Sequence, residues 1–564
     1  MTHTTEVRDN MSIEWDVPIA MDDGVVLRAD VYKPVAPGKY PVIMTYGPYG
    51  KGLSFQQGYK TAWDLMAARY PDALEGSSNK YQAWEVPDPE KWVPDGYVCI
   101  RVDSRGAGRS PGKIDHFSPR ETLDYYQCIE WAGVQPWSNG KVGLNGISYY
   151  GANQWLVASM RPPHLAAICP WEGYSDAYRE STFHGGILCS FGKNWQEIQV
   201  KTVQHGRGDR GPRSSVTGEL VCGDVNLTEE ELEANRGDMS RRAANHRFDD
   251  EFFEERRAKL SQLQVPVLSA ANWGGQGLHL RGNIEGFLQA GSSKKWLEIH
   301  GGEHWTSFYT RYGIGLQKQF FEQYLKGKET GWEERPPVLL HVRHVDKFVE
   351  RAEHEWPLAG TQWTKLYLDL DGQKLSPDAA DGTSTATFEQ ETEITGPLAC
   401  KLFVSSTTPD ADLFLVVGLY SPEGNEVVFQ GALDPHTPVA QGWLRASRRE
   451  LDPERTLAWR PLHTHRSRQP LEPGNPVELD IEIWPTSIVV PVGWRIGLTV
   501  RGKDYEYEGA ATHLSNLKFP MKGCGPFLHD DPEDRPPSVF AGRTTLHAGR
   551  SMSSYLLVPI IPQR

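Results

Sequence analysis

The chain has 564 residues, of which 39% are hydrophobic and 23% are charged. Its length predicts roughly two or three domains, and its composition excludes both a disordered tail and a membrane protein. The net charge of −14 at pH 7 argues against nucleic acid as a partner, since phosphate contacts need clustered Lys and Arg.

The cysteine pattern and the N-terminal sequence indicate the cellular compartment in which we expect the protein. The seven cysteines contain no CxxC pair, which argues against a disulfide scaffold and against a zinc site. With no cluster of metal ligands evident, we expect neither metal nor cofactor. Neither a signal peptide nor an apolar run of about 18 residues is present. We therefore expect a soluble cytoplasmic protein without a membrane partner, and a homodimer is compatible with this size.

The first part of the chain alternates short apolar strands with helical segments. A hairpin is predicted at residues 13–34 around an Asp-Asp-Gly turn. Apolar strands follow in YPVIMTYG, YVCIRVD and KVGLNGI, and the pattern returns in LAAICPW, VPVLSAAN and KKWLEIH. Strands that are apolar on both faces and alternate with helices predict a mostly parallel α/β sheet, which we assign to residues 1–175 and 263–334.

Two segments differ from this pattern in composition and in predicted secondary structure. Residues 176–262 are charged and rich in helix formers, as in LTEEELEANRGDMSRRAANH, and predict a helical cap inserted into the α/β domain. In residues 335–564, short strands such as LACKLFVSS and DLFLVVGLY alternate with Pro and Gly. That pattern predicts a C-terminal all-β domain of the sandwich or jelly-roll type.

The strongest chemical signal is Gly146-Ile-Ser148-Tyr-Tyr-Gly151, which lies between an apolar strand and a helical run. A serine at such a turn is a nucleophile elbow, and the following helix offers backbone N–H groups to an oxyanion. The usual pattern is GxSxG, whereas here the second glycine comes one position later. Ser148 is the predicted nucleophile.

A serine nucleophile needs a base, and His304 in IHGGEHW is the first candidate. It follows an apolar stretch and two glycines late in the α/β domain, where α/β hydrolases carry their histidine. We interpret His300 as structural because it lies inside the strand, and His279 as a residue that packs or pairs at a helix start.

The order GPYGK, DSRGAGRSPG, GISYYG, cap, GGEHW and β domain resembles the cocaine-esterase-like hydrolases related to X-prolyl dipeptidyl peptidases, over nearly the whole chain. In that family the elbow is GxSYxG, in agreement with the displaced glycine. The resemblance implies an α/β-hydrolase core, a helical cap and a C-terminal jelly roll. It also implies an oxyanion hole made by the hydroxyl of Tyr49 and the backbone N–H of Tyr149.

The triad acid departs from the family pattern. The family places an Asp one or two residues after a Trp, but the loop here reads Asn272-Trp-Gly-Gly-Gln-Gly277 and holds no carboxylate. Glu172, within three residues of the preceding strand, is the first candidate to replace it. Asp176 is second, although capping a cap helix is its more ordinary use, and Glu303 is third.

The predicted function is a serine hydrolase that cleaves an ester or amide of a small organic acyl substrate through an acyl-enzyme. Acyl transfer to another acceptor, or hydrolysis of a C–C bond, would use the same residues. The missing acid also leaves open a non-catalytic binding protein on a degenerate hydrolase fold.

Overall fold

The structure, a computed structural model, describes residues 3–370, 374–376, 385–515, 517 and 520–562. The outermost residues of the predicted first part, 1–2, and parts of the predicted β domain, including 563–564, lie outside this range. Within it, no helix combines the length and the apolar character that crossing a membrane requires. All seven cysteines are described, and each is buried and free.

The strands up to residue 353 belong to a large sheet and to one small hairpin. They are β1 (Thr4–Arg8), β2 (Met11–Ala20), β3 (Val26–Pro34), β4 (Tyr40–Gly47), β5 (Val98–Asp103), β6 (Ser138–Ile147), β7 (Leu165–Trp171), β8 (Phe183–His184), β9 (Ile187–Leu188), β10 (Val267–Asn272), β11 (Lys295–His300), β12 (Val338–Arg343) and β13 (Phe348–Glu353).

The helices lie between these strands and, in one case, near the C-terminus. They are α1 (Phe55–Gly58), α2 (Lys60–Arg69), α3 (Pro89–Trp92), α4 (Pro119–Gly133), α5 (Tyr149–Ser159), α6 (Phe191–Trp195), α7 (Glu229–Ala234), α8 (Met239–Asn245), α9 (Glu251–Glu254), α10 (Leu280–Gln289), α11 (Arg311–Lys326) and α12 (Pro537–Phe540).

The large sheet has the order β1-β2-β3-β5-β4-β6-β7-β10-β11-β12-β13. The seven neighbouring strands β5-β4-β6-β7-β10-β11-β12 pair in parallel. At the two ends of the sheet, β1, β2, β3 and β13 pair antiparallel to their neighbours. The sheet therefore continues past the predicted boundary at residue 334, because β12 pairs with β11 and β13 pairs with β12. Since parallel strands end at one edge, the loops after β6, β7, β10 and β11 meet there.

Two further units cover that edge. Between residues 176 and 262 the chain forms the β8–β9 hairpin and the short helices α6–α9, a cap on the core. The C-terminal unit is all-β, and its strands are β14 (Gln362–Asp369), β15 (Lys374–Ser376), β16 (Thr385–Thr387), β17 (Thr392–Ser406), β18 (Asp412–Tyr420), β19 (Glu426–Val427), β20 (Ala440–Arg445), β21 (Val477–Val490), β22 (Arg495–Arg501), β23 (Thr544–His547) and β24 (Tyr555–Ile561).

The predicted fold class is confirmed: an α/β-hydrolase core carries a cap and a C-terminal all-β jelly-roll domain. The β domain packs against the core. One apolar cluster contains Trp273 and Leu340 from the core together with Phe414 and Trp443 from the β domain. Burial of aromatic groups on both sides makes this a close interface between the two units.

The displaced glycine of the elbow has a packing reason. A Cβ at Gly151 would lie 2.8 Å from the Trp171 carbonyl oxygen and 3.2 Å from Gly173 Cα. The first turn of α5 therefore packs directly on the backbone that follows β7. Tyr150 takes the position of the usual glycine, and its ring lies over Gly47, where a Cβ would come within 2.6 Å of it.

Gly151→Ala tests this close approach. We expect the methyl group to push α5 away from the β7 backbone and to destabilise the fold by about 1–3 kcal/mol, which lowers the midpoint of thermal unfolding. Gly315→Ala in α11 is the matched control, because nothing lies within 4 Å of its Cβ. It should stabilise the helix by about 0.5–1 kcal/mol. Equal effects of the two substitutions would contradict the packing argument.

Candidate active site

Ser148 lies between β6 and α5 in a strained backbone conformation. Its φ is 59° and its ψ is −113°, a region that non-glycine residues rarely adopt outside functional sites. The Ser148 N–H donates to the carbonyls of Trp171 at 3.0 Å and Glu172 at 3.1 Å. This turn is thus pinned to the end of β7, and the serine lines a cavity.

His279 contacts the Ser148 hydroxyl. Its Nε2 lies 3.1 Å from Ser148 Oγ, and its ring stacks on Tyr174 and on His304, with centroids 6.0 and 5.3 Å apart. Burial lowers the pKa of His279 well below its ordinary value, so the ring is neutral. From the sequence, His279 was predicted only to pack or pair at a helix start. The signal that could have found it is its loop, which follows β10 and reaches the edge where Ser148 lies.

His304 and Glu172 form a buried pair. Glu172 follows β7 and is 0% exposed, while His304 follows β11 and is 6% exposed. His304 Nδ1 lies 2.8 Å from Glu172 Oε2. The structure thus brings together the histidine and the carboxylate that the sequence singled out. An acid on Nδ1 orients an imidazole and stabilises its charged form.

Two other side chains donate to the same carboxylate. His300 Nε2 lies 3.1 Å and Asn272 Nδ2 3.2 Å from Glu172 Oε1. Burial raises the pKa of Glu172, but the two histidines outweigh it and lower the pKa to about 2. Burial lowers the pKa of His304, but the carboxylates of Glu172 and Glu85 outweigh it and raise the pKa to about 10. Both shifts favour the charged forms, a carboxylate on Glu172 and an imidazolium on His304.

Glu85 contacts the other ring nitrogen of His304, Nε2. Its Oε1 lies 3.0 Å from His304 Nε2, so this nitrogen faces Glu85 rather than Ser148 Oγ. The Glu85 carbonyl accepts from the N–H of Ile147 at 3.0 Å, which ties its loop to the elbow. Burial raises the pKa of Glu85. Glu85 was not predicted from the sequence, because it lies in a loop that follows no strand.

The other two candidate acids have partners elsewhere. Asp176 forms ion pairs with Arg179 and Arg257, and it accepts the backbone N–H of Arg179. Glu303 forms an ion pair with Arg69 at 2.7 Å. Neither carboxylate joins His304, so Glu172 is the one of the three that contacts it.

The two predicted oxyanion donors line the same cavity as Ser148. Tyr49 lines the same cavity, and its hydroxyl accepts from Trp195 Nε1 at 3.0 Å. Burial raises the pKa of Tyr49 well above its usual range, so the phenol keeps its proton and can donate. Tyr149 is the first residue of α5, where backbone N–H groups have no acceptor within the helix. Its own hydroxyl donates to Glu121 at 2.7 Å.

The cavity over Ser148 has a volume of about 820 Å³, part of which is open to solvent. Core, cap and β domain all contribute to a wall that is mostly apolar, including Trp84, Phe117, Phe191, Trp195, Leu433 and Phe527. An apolar wall of this kind favours uncharged groups on a substrate, and the few polar side chains in it act on the substrate at short range.

Two family models match the chain. That of X-Pro dipeptidyl-peptidase (S15 family) matches residues 23–306, and that of the X-Pro dipeptidyl-peptidase C-terminal non-catalytic domain matches residues 330–556. The second match agrees with the all-β unit described above.

Individual relatives point the same way. Cocaine esterase of Rhodococcus sp. is 27% identical over 419 residues, which are 69% of this chain and 67% of that protein. A putative serine esterase of Mycobacterium bovis is 24% identical, with 94% of each chain covered. The crystal structure of a CocE/NonD family hydrolase from Staphylococcus aureus is 32% identical, with a TM-score of 0.83 over 99% of this chain and 96% of that one.

These matches confirm the resemblance inferred from the motifs and leave the binding-protein alternative without support. The chain belongs to the X-Pro dipeptidyl-peptidase (S15) family, and it is a serine hydrolase of the α/β-hydrolase kind that cleaves an ester or amide bond.

Proposed function

We propose that the protein hydrolyses an ester of a small, uncharged, apolar acyl group through an acyl-enzyme on Ser148. The observation that carries the proposal is the strained turn at Ser148, whose side chain faces an apolar cavity that also holds His304. Acyl transfer needs a hydroxyl held in such a turn and a histidine–carboxylate pair, and His304 of that pair lines the same cavity as Ser148.

In the proposed reaction, Ser148 Oγ attacks the ester carbonyl while His304 Nε2 takes its proton. The bond to the leaving alkoxide then breaks, and His304 returns the proton to it. Water repeats the sequence on the acyl-serine and releases the acid. The Tyr49 hydroxyl and the Tyr149 N–H donate to the oxyanion, and one such donor contributes about 3 kcal/mol to the transition state.

His304 must first become neutral to act as a base. Glu85 is the group within reach of its Nε2 proton, since the two atoms are 3.0 Å apart. For Nε2 to accept from Ser148 Oγ, the protonated Glu85 side chain must also turn away from it, while Glu172 continues to hold Nδ1. In this scheme His279 holds the Ser148 hydroxyl between turnovers.

A second assignment of the base rests on one observation, the 3.1 Å contact between His279 Nε2 and Ser148 Oγ. In that assignment His279 takes the proton and His304 remains charged. His279 is the weaker candidate because its Nδ1 has no hydrogen-bond partner among the described residues. The charge that forms on its ring would then have no carboxylate to stabilise it.

The cavity favours an ester over a peptide with a free N-terminus. A substrate ammonium needs a carboxylate to hold it, and Glu85, the carboxylate that lines the cavity among the described residues, is already paired with His304. The aromatic wall instead suits an aryl or branched apolar acyl group.

Ser148→Ala tests the nucleophile. Because no other group can form the acyl-enzyme in this scheme, we expect kcat on nitrophenyl esters of apolar acids to fall by about 10⁴-fold or more. The control is Ser181→Ala, which removes a second serine from the same cavity and should change kcat only a few-fold. Activity of Ser148→Ala within tenfold of wild type would contradict the proposal.

Glu172→Gln tests the histidine–carboxylate pair. The amide carries no charge and replaces one accepting oxygen with an NH2 donor, so it orients His304 poorly and does not stabilise the imidazolium. We therefore expect kcat/KM to fall by about 10²–10⁴-fold. Glu303→Gln, which removes a buried carboxylate paired with Arg69, is the matched control and should retain activity. Thermal unfolding of each variant verifies that it is folded. If Glu172→Gln retains activity while His279→Ala loses it, His279 is the base and the assignment to His304 is wrong.

A further inference from the structure

A cluster of three metal-ligating side chains lies between the cap and the β domain. His184, Cys189 and His529 each offer one ligand atom, and these atoms all lie within 4.8 Å of one another. The three residues are 1%, 4% and 1% exposed. No metal site was predicted from the sequence, since no CxxC pair is present and His529 is distant from the other two residues in the chain.

The β8–β9 hairpin places two of the ligands on one face. His184 pairs with Ile187, and the Cys189 N–H donates to the Thr182 carbonyl at 2.9 Å. Side chains alternate between the faces of a hairpin, so Cys189 and Thr182 share a face with His184, two residues away. The turn is held tightly, because a Cβ at Gly185 would come within 2.0 Å of the Trp443 carbonyl oxygen.

His529 is oriented by an acidic residue behind it. Asp504 accepts the backbone N–H of His529 at 2.8 Å and faces its Nδ1 at 2.7 Å. The proton of this imidazole is therefore on Nδ1, and the lone pair of Nε2 points at His184 Nδ1, 2.8 Å away. A carboxylate on the outer nitrogen of a histidine is the usual support of a metal ligand.

His184 also has a backbone acceptor beside its other nitrogen. Its Nε2 lies 3.4 Å from the Glu180 carbonyl oxygen. With the proton on Nε2, the lone pair of Nδ1 faces that of His529 Nε2 at 2.8 Å, and a cation between them removes the repulsion. Without an ion, a proton on Nδ1 makes an N–H···N hydrogen bond at that distance.

We propose that His184 Nδ1, His529 Nε2 and Cys189 Sγ bind a zinc ion, with a water as the fourth ligand. Zinc prefers imidazole nitrogen and thiolate sulfur in tetrahedral geometry, with metal–ligand distances of about 2.0–2.3 Å. Such a site spaces its ligand atoms roughly 3.3–3.7 Å apart. The three ligand atoms lie within 4.8 Å of one another, and the two imidazole nitrogens, 2.8 Å apart, separate by roughly half an ångström to admit the ion. One thiolate and the Asp504 carboxylate balance the two charges of the ion.

The site is structural rather than catalytic. His184 and Cys189 belong to the cap and His529 to the C-terminal part of the chain, so the ion joins two units that both cover the active-site cavity. Cys189 packs in one cluster with Leu278 and Phe527, which line that cavity. The metal therefore stabilises the cavity wall without touching the reacting groups.

The experiment is metal analysis of the full chain, purified without chelators and with any histidine tag removed. We expect about one zinc per chain in the wild type and essentially none in Cys189→Ala. Cys400→Ala, which removes another buried thiol, should keep the zinc. A chelator should lower the midpoint of thermal unfolding of the wild type and of Cys400→Ala but leave that of Cys189→Ala unchanged.

Cobalt binding to the wild-type protein tests the zinc site without a variant, so the test does not depend on how well a variant folds. Cobalt added to chelator-treated wild-type protein should give a thiolate-to-cobalt charge-transfer band and the visible bands of a tetrahedral site. Wild-type protein that retains no zinc, and that gives no charge-transfer band with cobalt, overturns the proposal. It would show that the three side chains form only a hydrogen-bonded chain to Asp504.

Discussion

The carboxylate of Glu172 is fully buried, and an ionised group in that position is tolerated only because several neighbours donate to it. His304, His300 and Asn272 all do so, and they come from the ends of β11 and β10. The charge thus ties three adjacent strand ends together at the edge where Ser148 lies. Removing it would leave the orientation of His304 undefined, which is why the active site depends on this one group more than on the wall of the cavity.

Backbone strain is concentrated around the same point. Ser148, Glu172 and Glu85 have φ values of 59°, 44° and 64°, in a region that side chains with a Cβ disfavour. The three segments are also joined by hydrogen bonds between their backbones. Conformations of this kind persist only where the surrounding packing holds them, as the contact of Gly151 with the β7 backbone does here.

The sequence was sufficient for features that depend on local pattern and on strand order. Alternating strands and helices predict the α/β core, and the rule that parallel strands end at one edge predicts that the loops carrying Ser148, Glu172 and His304 converge. It was insufficient where contacts come from irregular loops. Glu85 lies in a loop without a periodic signal, and His279 stands at a helix start, where packing is the commoner role. The continuation of the core sheet into β12 and β13 was also missed, because these strands follow the last core helix and resemble the β domain in composition. The catalytic roles stay predictions.

The most direct test of the account is the intact mass of the protein after treatment with a fluorophosphonate, on the wild type and on Ser148→Ala. These reagents modify a serine hydroxyl only when a neighbouring base activates it. If Ser148 is the nucleophile, the wild type forms a single adduct and the variant forms none. A well-folded wild-type protein that forms no adduct, or an adduct that persists in Ser148→Ala, would contradict the claim that Ser148 is the nucleophile.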